Sequence, residues 1–336
     1  MSGYSHPAPR YRISVGGADI TERLRGRLMS LTLTDNRGTE ADQLDLVLND
    51  HDGLLDIPPH GAQLRVAIGW SDTGLVDKGL FTVDETVHSG APDQLTIRAR
   101  SADLRDGLAA KKERSWHATT LGAIAQSIAA AHGLTPSIAE ALAGIAIAHV
   151  DQANESDLNL LTRLAKQHDA IATIKADRLL LLKAGSAKTV SGKAMPHLVL
   201  TRADGDSHSY QEADRDSYSG VIARYHAFEA AQTGEVTVGE ASNAKRLRHI
   251  HPSKAEAESA AKAEWQRIQR GNATLTYTLA RGRPDLLPEC TFSLLGIKPA
   301  IAAVRWLGVK VTHQLSDSGY TTGIEAESKL SEENSG

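Results

Sequence analysis

"RLMSLTLTDNRGTEADQLDLVLND", residues 27–50, decides the fold class. Met29, Leu31 and Leu33 alternate with Ser30, Thr32 and Thr34; after Asn36-Arg37-Gly38 the alternation resumes in Leu44, Leu46 and Leu48, interrupted only by Val47. Successive side chains on a strand point to opposite faces, so a period of two buries one face and wets the other. The pattern extends outward from this stretch. Leu64, Val66 and Ile68 face away from Gln63 and Arg65, and Leu95, Ile97 and Ala99 from Thr96, Arg98 and Arg100. Turns fall at Asp72-Thr73-Gly74 and Gly90-Ala91-Pro92-Asp93. Short alternating strands from Tyr11 to Ser101, with no helix between them, predict an antiparallel barrel or sandwich. A barrel is favoured because closure removes edge strands that invite aggregation.

The middle of the chain changes period. Leu121, Ile124 and Ile128 make one apolar stripe, with Thr119 or Thr120 as N-cap and Gly133 as the stop. "GIAIAHV", residues 144–150, reads as a short strand. A second helix follows, capped by Ser156, with Leu158, Leu161, Leu164 and Ala165 on one face. Ile171 to Lys175 and Leu179 to Lys183 then form a hairpin around Ala176-Asp177-Arg178. Strand alternation returns after Ser219, in Leu275, Tyr277 and Leu279 and in Ile324, Ala326 and Ser328. Two patterns recur in order: "PHGAQLRVAIG" (59–69) with "PECTFSLLG" (288–296), and "LTIRARSADL" (95–104) with "TGIEAESKL" (322–330). Together they predict a duplicated barrel. One helix is inserted in the second copy, opening with the capping box Ser253–Glu256, burying Ala257, Ala261, Trp265 and Ile268, and ending at Gly271. The expected organisation is mainly β with an α/β insert: a first β-barrel over 1–110, the insert over 111–197, and a second β-barrel over 198–336 carrying the helix 253–270.

Composition narrows the function classes. The 336 residues are 41% hydrophobic and 23% charged, which suits a soluble globular chain. A net charge of −4 gives no global attraction to nucleic acid. Cys290 stands alone, so no internal disulfide forms, as in a reducing compartment. The opening "MSGYSHPAPRYRIS" lacks the apolar centre of a secretory signal, and no apolar run suits a membrane span.

Asp157, His168 and Asp169 are the candidates for catalysis. Asp157 falls in the first turn of its helix, where a carboxylate favours the dipole, whereas His168 and Asp169 lie about three turns away, ~16 Å along the axis. They read as structural. His249-Ile250-His251 offers two imidazoles, but a metal site needs three or four ligands and supporting groups, so these read as exposed loop histidines. Cys290 reads as a small core residue. The basic runs "AKKERSWH" and "AKRLRHIH" read as solvated surface. Phosphate-binding, dinucleotide-binding and hydrolase motifs are absent. No catalytic, cofactor-binding or metal-ligating residue is assigned, and the chain is not expected to be an enzyme.

Five strings carry a resemblance that covers the chain from Ile13 to Lys329: the opening stretch, "FTVDETVHSGAPDQLTIRARSADLR" (81–105), "SWHATTLGAIAQSIA" (115–129), "HVDQANESDLNLLTRLAKQ" (149–167) and "KVTHQLSDSGYTTGIEAES" (310–328). The sequence resembles the late control gene D protein family of contractile-tailed temperate phages. It departs from some relatives in a short "HAFEAAQTGEVTVGEASNAKRL" (226–247) where they carry a longer Lys-rich insertion. The resemblance implies a structural baseplate hub of a phage tail or tailocin, similar to the N-terminal part of type VI secretion spikes. It implies a homotrimeric ring adapting a sixfold tail tube to a threefold central spike. Spike and tube proteins are the expected partners, with the tape-measure protein and baseplate wedge as further candidates. It also implies assembly in the bacterial host cytoplasm, then residence in the virion or tailocin baseplate, with no membrane anchor. The family name suggests transcriptional control, but phosphate neutralisation needs clustered Lys and Arg; no specific nucleic-acid binding is expected. The insert resembles a LysM-like unit, which leaves a peptidoglycan-binding or cell-wall-acting tail module as the alternative. Its place between two barrels favours a brace.

Overall fold

The structure, a computed structural model, describes residues 6–38, 40–101, 107–175, 177–212, 218–227 and 232–329. An N-terminal lobe contains β1 (Pro9–Val15), β2 (Ala18–Asp19), α1 (Thr21–Leu24), β3 (Leu28–Asn36), β4 (Gln43–Asn49), β5 (Gln63–Trp70), β6 (Gly74–Ser89) and β7 (Gln94–Arg100). The insert follows with β8 (Lys111–Thr120), α2 (Leu121–Ala131), β9 (Thr135–Ile138), α3 (Glu140–Ala143), β10 (Ala146–Ser156), α4 (Asp157–Gln167), β11 (Ala170–Lys175) and β12 (Arg178–Lys183). A C-terminal lobe begins with β13 (His197–Thr201), β14 (Gly205–Glu212), β15 (Gly220–Ala227), β16 (Gln232–Gly239), β17 (Ala244–His251) and α5 (Lys254–Gly271). It ends with β18 (Ala273–Leu279), β19 (Thr291–Leu295), α6 (Pro299–Ala302), β20 (Trp306–Ser316) and β21 (Gly319–Ser328).

The strand alternation read from the sequence appears as burial. Leu31, Leu33, Leu44, Leu46, Leu64, Val66, Ile68, Leu95 and Ala99 pack into one N-terminal core, and Leu275, Tyr277, Leu279, Ile324 and Ala326 into a C-terminal one. Met29 departs from the pattern: a register shift between Leu28 and Ser30 turns it outward, and it is 39% exposed. The two lobes order their strands alike. The N-terminal path runs β3-β4-β7-β6-β5-β1 and the C-terminal path β14-β18-β21-β20-β19-β13, each taking the corresponding strands in the same chain order.

Closed barrels were expected, and no ring of pairings closes among the described strands. One 13-stranded sheet runs through both lobes instead. Closing the first barrel would return the outer edge of β3 to β1, but that edge pairs with β20, from Lys310 opposite Asn36 to Ser316 opposite Ser30. At 11 residues, β20 is long enough to serve two neighbours on this edge: Trp306 and Leu307 pair with β19, and Lys310 to Ser316 with β3. Nor is the sheet antiparallel throughout, since β13 and β19 run parallel.

The β20–β21 hairpin also delivers Leu315 and Tyr320 into the N-terminal core. Burying a side chain of this class is worth roughly 1.5–3 kcal/mol. Trp70 packs on Tyr320 with ring centroids 5.5 Å apart, and its Nε1 donates to the Gly282 carbonyl at 2.8 Å. Beneath lies a buried polar knot. Lys78 Nζ is 3.1 Å from Asp35 Oδ2, 3.3 Å from the Leu286 carbonyl and 2.8 Å from His313 Nε2. An ammonium has three donors and no acceptor, so this set satisfies it and assigns His313 Nε2 as an acceptor. The other ring nitrogen then carries the proton, 3.0 Å from Thr322 Oγ1 and 2.9 Å from the Tyr320 hydroxyl. Burial first, and then Lys78, depress the His313 pKa below 6.5, consistent with the neutral ring. Burial works to raise the Asp35 carboxyl, yet the Lys78 ammonium beside it, with Lys175 adding, outweighs burial and holds the pKa at about 2.

The insert is built from a β-α unit used twice. In α2 the Thr120 hydroxyl accepts from the Ala123 amide and His132 is the C-cap; in α4 Ser156 accepts from Asn159 and His168 is the C-cap. The residues after the C-caps, Gly133 (φ +63°) and Asp169 (φ +48°), turn the chain into the following strands. Strands β8 and β10 pair with each other, His117 opposite His149. In the hairpin β11–β12, Ala176 lies outside the described residues, as do Leu104 and Leu330 of the repeated strings. The inserted helix α5 is capped by Ser253, packs Ala257 and Ala261 under β15, and runs through Gly271 to the C-cap Asn272, one residue beyond expectation.

Replacing Lys78 by Met strands the Asp35 carboxylate in the core. Chemical denaturation is expected to show a loss of about 3–5 kcal/mol, the range for breaking a buried pair.

Candidate functional site

Asp157 opens α4 and is fully buried. Its Oδ2 is 2.6 Å from Lys112 Nζ and 2.8 Å from His132 Nε2; its Oδ1 accepts from Arg114 Nη2 and Gln152 Nε2, both at 2.8 Å. Lys112 and Arg114 sit two apart on β8 and share a face. Burial would raise the carboxyl, but hydrogen bonds from Lys112, Gln152 and His132 outweigh it and hold the pKa below the usual range. A carboxylate offers about four lone-pair sites, and four donors occupy them. Asp157 therefore has no acceptor capacity left for a substrate. It knots β8, β10 and both helices. Helix dipole alone is thus too small a role for it, and "AKKERSWH" is not simply solvated surface: Lys112 and Arg114 are its cations.

His168 and Asp169 serve a different joint. Asp169 Oδ2 accepts from Arg270 Nη1 at 2.8 Å, Oδ1 contacts Arg270 Nη2, and His168 Nδ1 is 3.3 Å from the Ser259 hydroxyl. Both contacts reach α5. Charges then alternate through the molecule: Arg270 Nε is 3.3 Å from Glu327 Oε1, which is 2.6 Å from Arg37 Nη1, which is 3.3 Å from Glu289 Oε1. Glu289 Oε2 closes the chain by accepting from the Gly185 amide at 3.2 Å. Lys175 on β11 adds a separate bridge to Asp42 at 3.0 Å. The insert is thus ionically tied to both lobes.

A cleft of about 540 Å³ separates β10 and α4 from β17 and α5, lined by His149, His168, His226, His249 and His251 among others. The pair His249 and His251, expected in an exposed loop, ends strand β17, and His251 is only 6% exposed. Among the described residues no group of three or more His, Cys, Asp and Glu is placed to hold a metal ion. Cys290 is buried just ahead of β19, and burial pushes its thiol up, away from reactivity. In the second basic run, Lys245 meets Glu264 at 2.8 Å and Arg246 meets Glu235 at 2.6 Å.

What this geometry defines is a braced β scaffold in which polar chemistry joins parts, and solved structures place the fold among tail proteins. The 43 kDa tail protein of prophage MuSo2 from Shewanella oneidensis superposes with a TM-score of 0.69 at 17% identity, over 94% of this chain and 97% of that one. The E. coli c3393 protein is described as a type VI secretion component structurally similar to T4 bacteriophage tail proteins gp27 and gp5. It gives a TM-score of 0.58 at 14% identity, over 95% of this chain and 77% of that one. At the sequence level the phage tail baseplate hub (GPD) signature matches residues 43–319. The probable baseplate hub protein of Escherichia phage 186 is 44% identical across 97% of this chain and 94% of that protein. The chain belongs to the phage tail baseplate hub (GPD) family.

Three histidines shielded from water give the fold a pH dependence. Burial is the main cause holding His168, His251 and His313 below 6.5, with Lys183, His249 and Lys78 respectively adding. The unfolded chain binds protons near pH 6.5 that the folded chain refuses, so stability falls as pH drops below that value. Melting temperature is expected to fall from about pH 7.5 to about pH 5, and a histidine held one pH unit below its ordinary value contributes ~1.4 kcal/mol to that loss. A melting temperature that rises over this range would show the histidines to be charged when folded.

Proposed function

We propose that this chain is the structural, non-enzymatic baseplate hub of a contractile phage tail or related tailocin. Three copies form a ring that adapts a sixfold tail tube to a threefold central spike. Family membership over residues 43–319 carries the hub assignment. The threefold ring is supported by the like strand order of the two lobes: two similar lobes on each of three chains give a pseudo-sixfold face on a threefold body. In this reading residues 1–110 and 198–336 are barrel-derived units and 111–197 a separate inserted unit. Spike and tube are the direct partners. Tape-measure protein and wedge are further ones.

The insert acts as a brace. Its support is the set of ties Lys175–Asp42, Asp169–Arg270 and His168–Ser259, which hold it to both lobes. A peptidoglycan-binding unit has no need of such anchoring.

Light scattering of the purified chain, alone and with its spike protein, tests the ring. A mass of three chains is expected, either unaided or once spike is added. A monomer that ignores the spike at high concentration would contradict it.

A further inference from the structure

His117 on β8 and His149 on β10 stand directly opposite in the antiparallel register, as do Ser115 and Asp151. All four side chains meet on one face of this two-stranded ribbon. The Nδ1 atoms of the two imidazoles are 3.0 Å apart, with ring centroids at 4.5 Å. On the far side of its ring, His149 Nε2 is 3.0 Å from Asp151 Oδ2, and Asp151 Oδ1 accepts from the Ser115 hydroxyl at 2.6 Å.

The carboxylate assigns the proton. Asp151 Oδ1 already accepts from Ser115, and a carboxylate oxygen has no proton to give, so Oδ2 accepts as well and places the His149 proton on Nε2. His149 Nδ1 therefore presents a lone pair towards His117 Nδ1. An imidazole that binds a metal has this arrangement: one nitrogen for the ion, the other donating to a carboxylate that is itself held. Two nitrogens on one tetrahedral ion, with bonds of about 2.0–2.1 Å, stand ~3.3 Å apart. The observed 3.0 Å is within a small side-chain adjustment of that spacing. The side chains of His149 and Asp151 are 49% and 57% exposed, which leaves room for water ligands.

The second imidazole pair differs. His249 and His251 meet edge to face at 82°, and no carboxylate is hydrogen-bonded to either ring among the described contacts. His251 is almost wholly buried, which leaves little room for water ligands around an ion.

We infer that His117 and His149 bind one divalent transition-metal ion of the imidazole-preferring kind, Cu²⁺, Ni²⁺ or Zn²⁺. Asp151 orients His149, and water fills the remaining positions. The ion clips β8 to β10, the two strands of this ribbon, and so stiffens the insert from its open face.

The metal-stripped full chain, titrated with Zn²⁺ in a calorimeter and with Cu²⁺ under electron paramagnetic resonance, tests the site. Binding of one ion per chain is expected, with the Cu²⁺ spectrum carrying coupling to two nitrogens. His117→Ala and His149→Ala are each expected to weaken binding at least tenfold, and Asp151→Asn by about 10–100-fold. His249→Ala should leave it unchanged. Circular dichroism confirms that each variant is folded. Unaltered affinity in folded His149→Ala, loss of binding in His249→Ala, or coupling to a single nitrogen would each overturn the assignment.

Discussion

Lys78 holds the fold's seam. Its ammonium, 2% exposed, meets a carboxylate from β3, a carbonyl from the segment before β19 and an imidazole from β20, so a single cation is shared by both lobes. Taking a charge from water costs several kcal/mol, and only full satisfaction of its donors offsets this. That condition fixes geometry tightly. β3 and β20 must lie in register for the three acceptors to converge. Once they do, Leu315 and Tyr320 enter the N-terminal core and the sheet runs unbroken from one lobe to the other.

The remaining ionic contacts extend the same logic outward. The alternating chain from Asp169 through Arg270, Glu327 and Arg37 to Glu289 joins insert, helix, hairpin and N-terminal loop in one line. Asp157 does locally for the insert what Lys78 does globally, with the charges reversed: one buried anion gathers donors from β8, β10 and the C-cap of α2. Cross-links of this kind favour a body that moves as a unit.

Much of the secondary structure is legible in the sequence because its signals are local. Leu31 and Leu33, or Leu275 and Tyr277, announce a strand by alternation alone, and Thr120, Ser156 and Ser253 announce helix starts by one hydroxyl each. Closure is misread because it depends on which distant edge β3 meets. Nothing near residues 28–36 signals that β20 will cover it. The seam is invisible for the same reason, since Lys78 is 43 residues from Asp35 and 235 from His313. Asp157 is undervalued when its cations are assigned to a solvated run. The cue lies in the period-two spacing of Lys112 and Arg114, which on a strand puts both on one face. The His117–His149 pair gives no local cue, as only the β8–β10 register brings it together.

The seam makes the two lobes one cooperative body, and native-state hydrogen exchange followed residue by residue tests this most directly. Amides of β3 and β20 are expected to exchange last, with the same free energy of opening as the innermost strands of both lobes. Exchange of the C-terminal lobe at a distinctly lower free energy, with β3 and β20 opening independently, would contradict it.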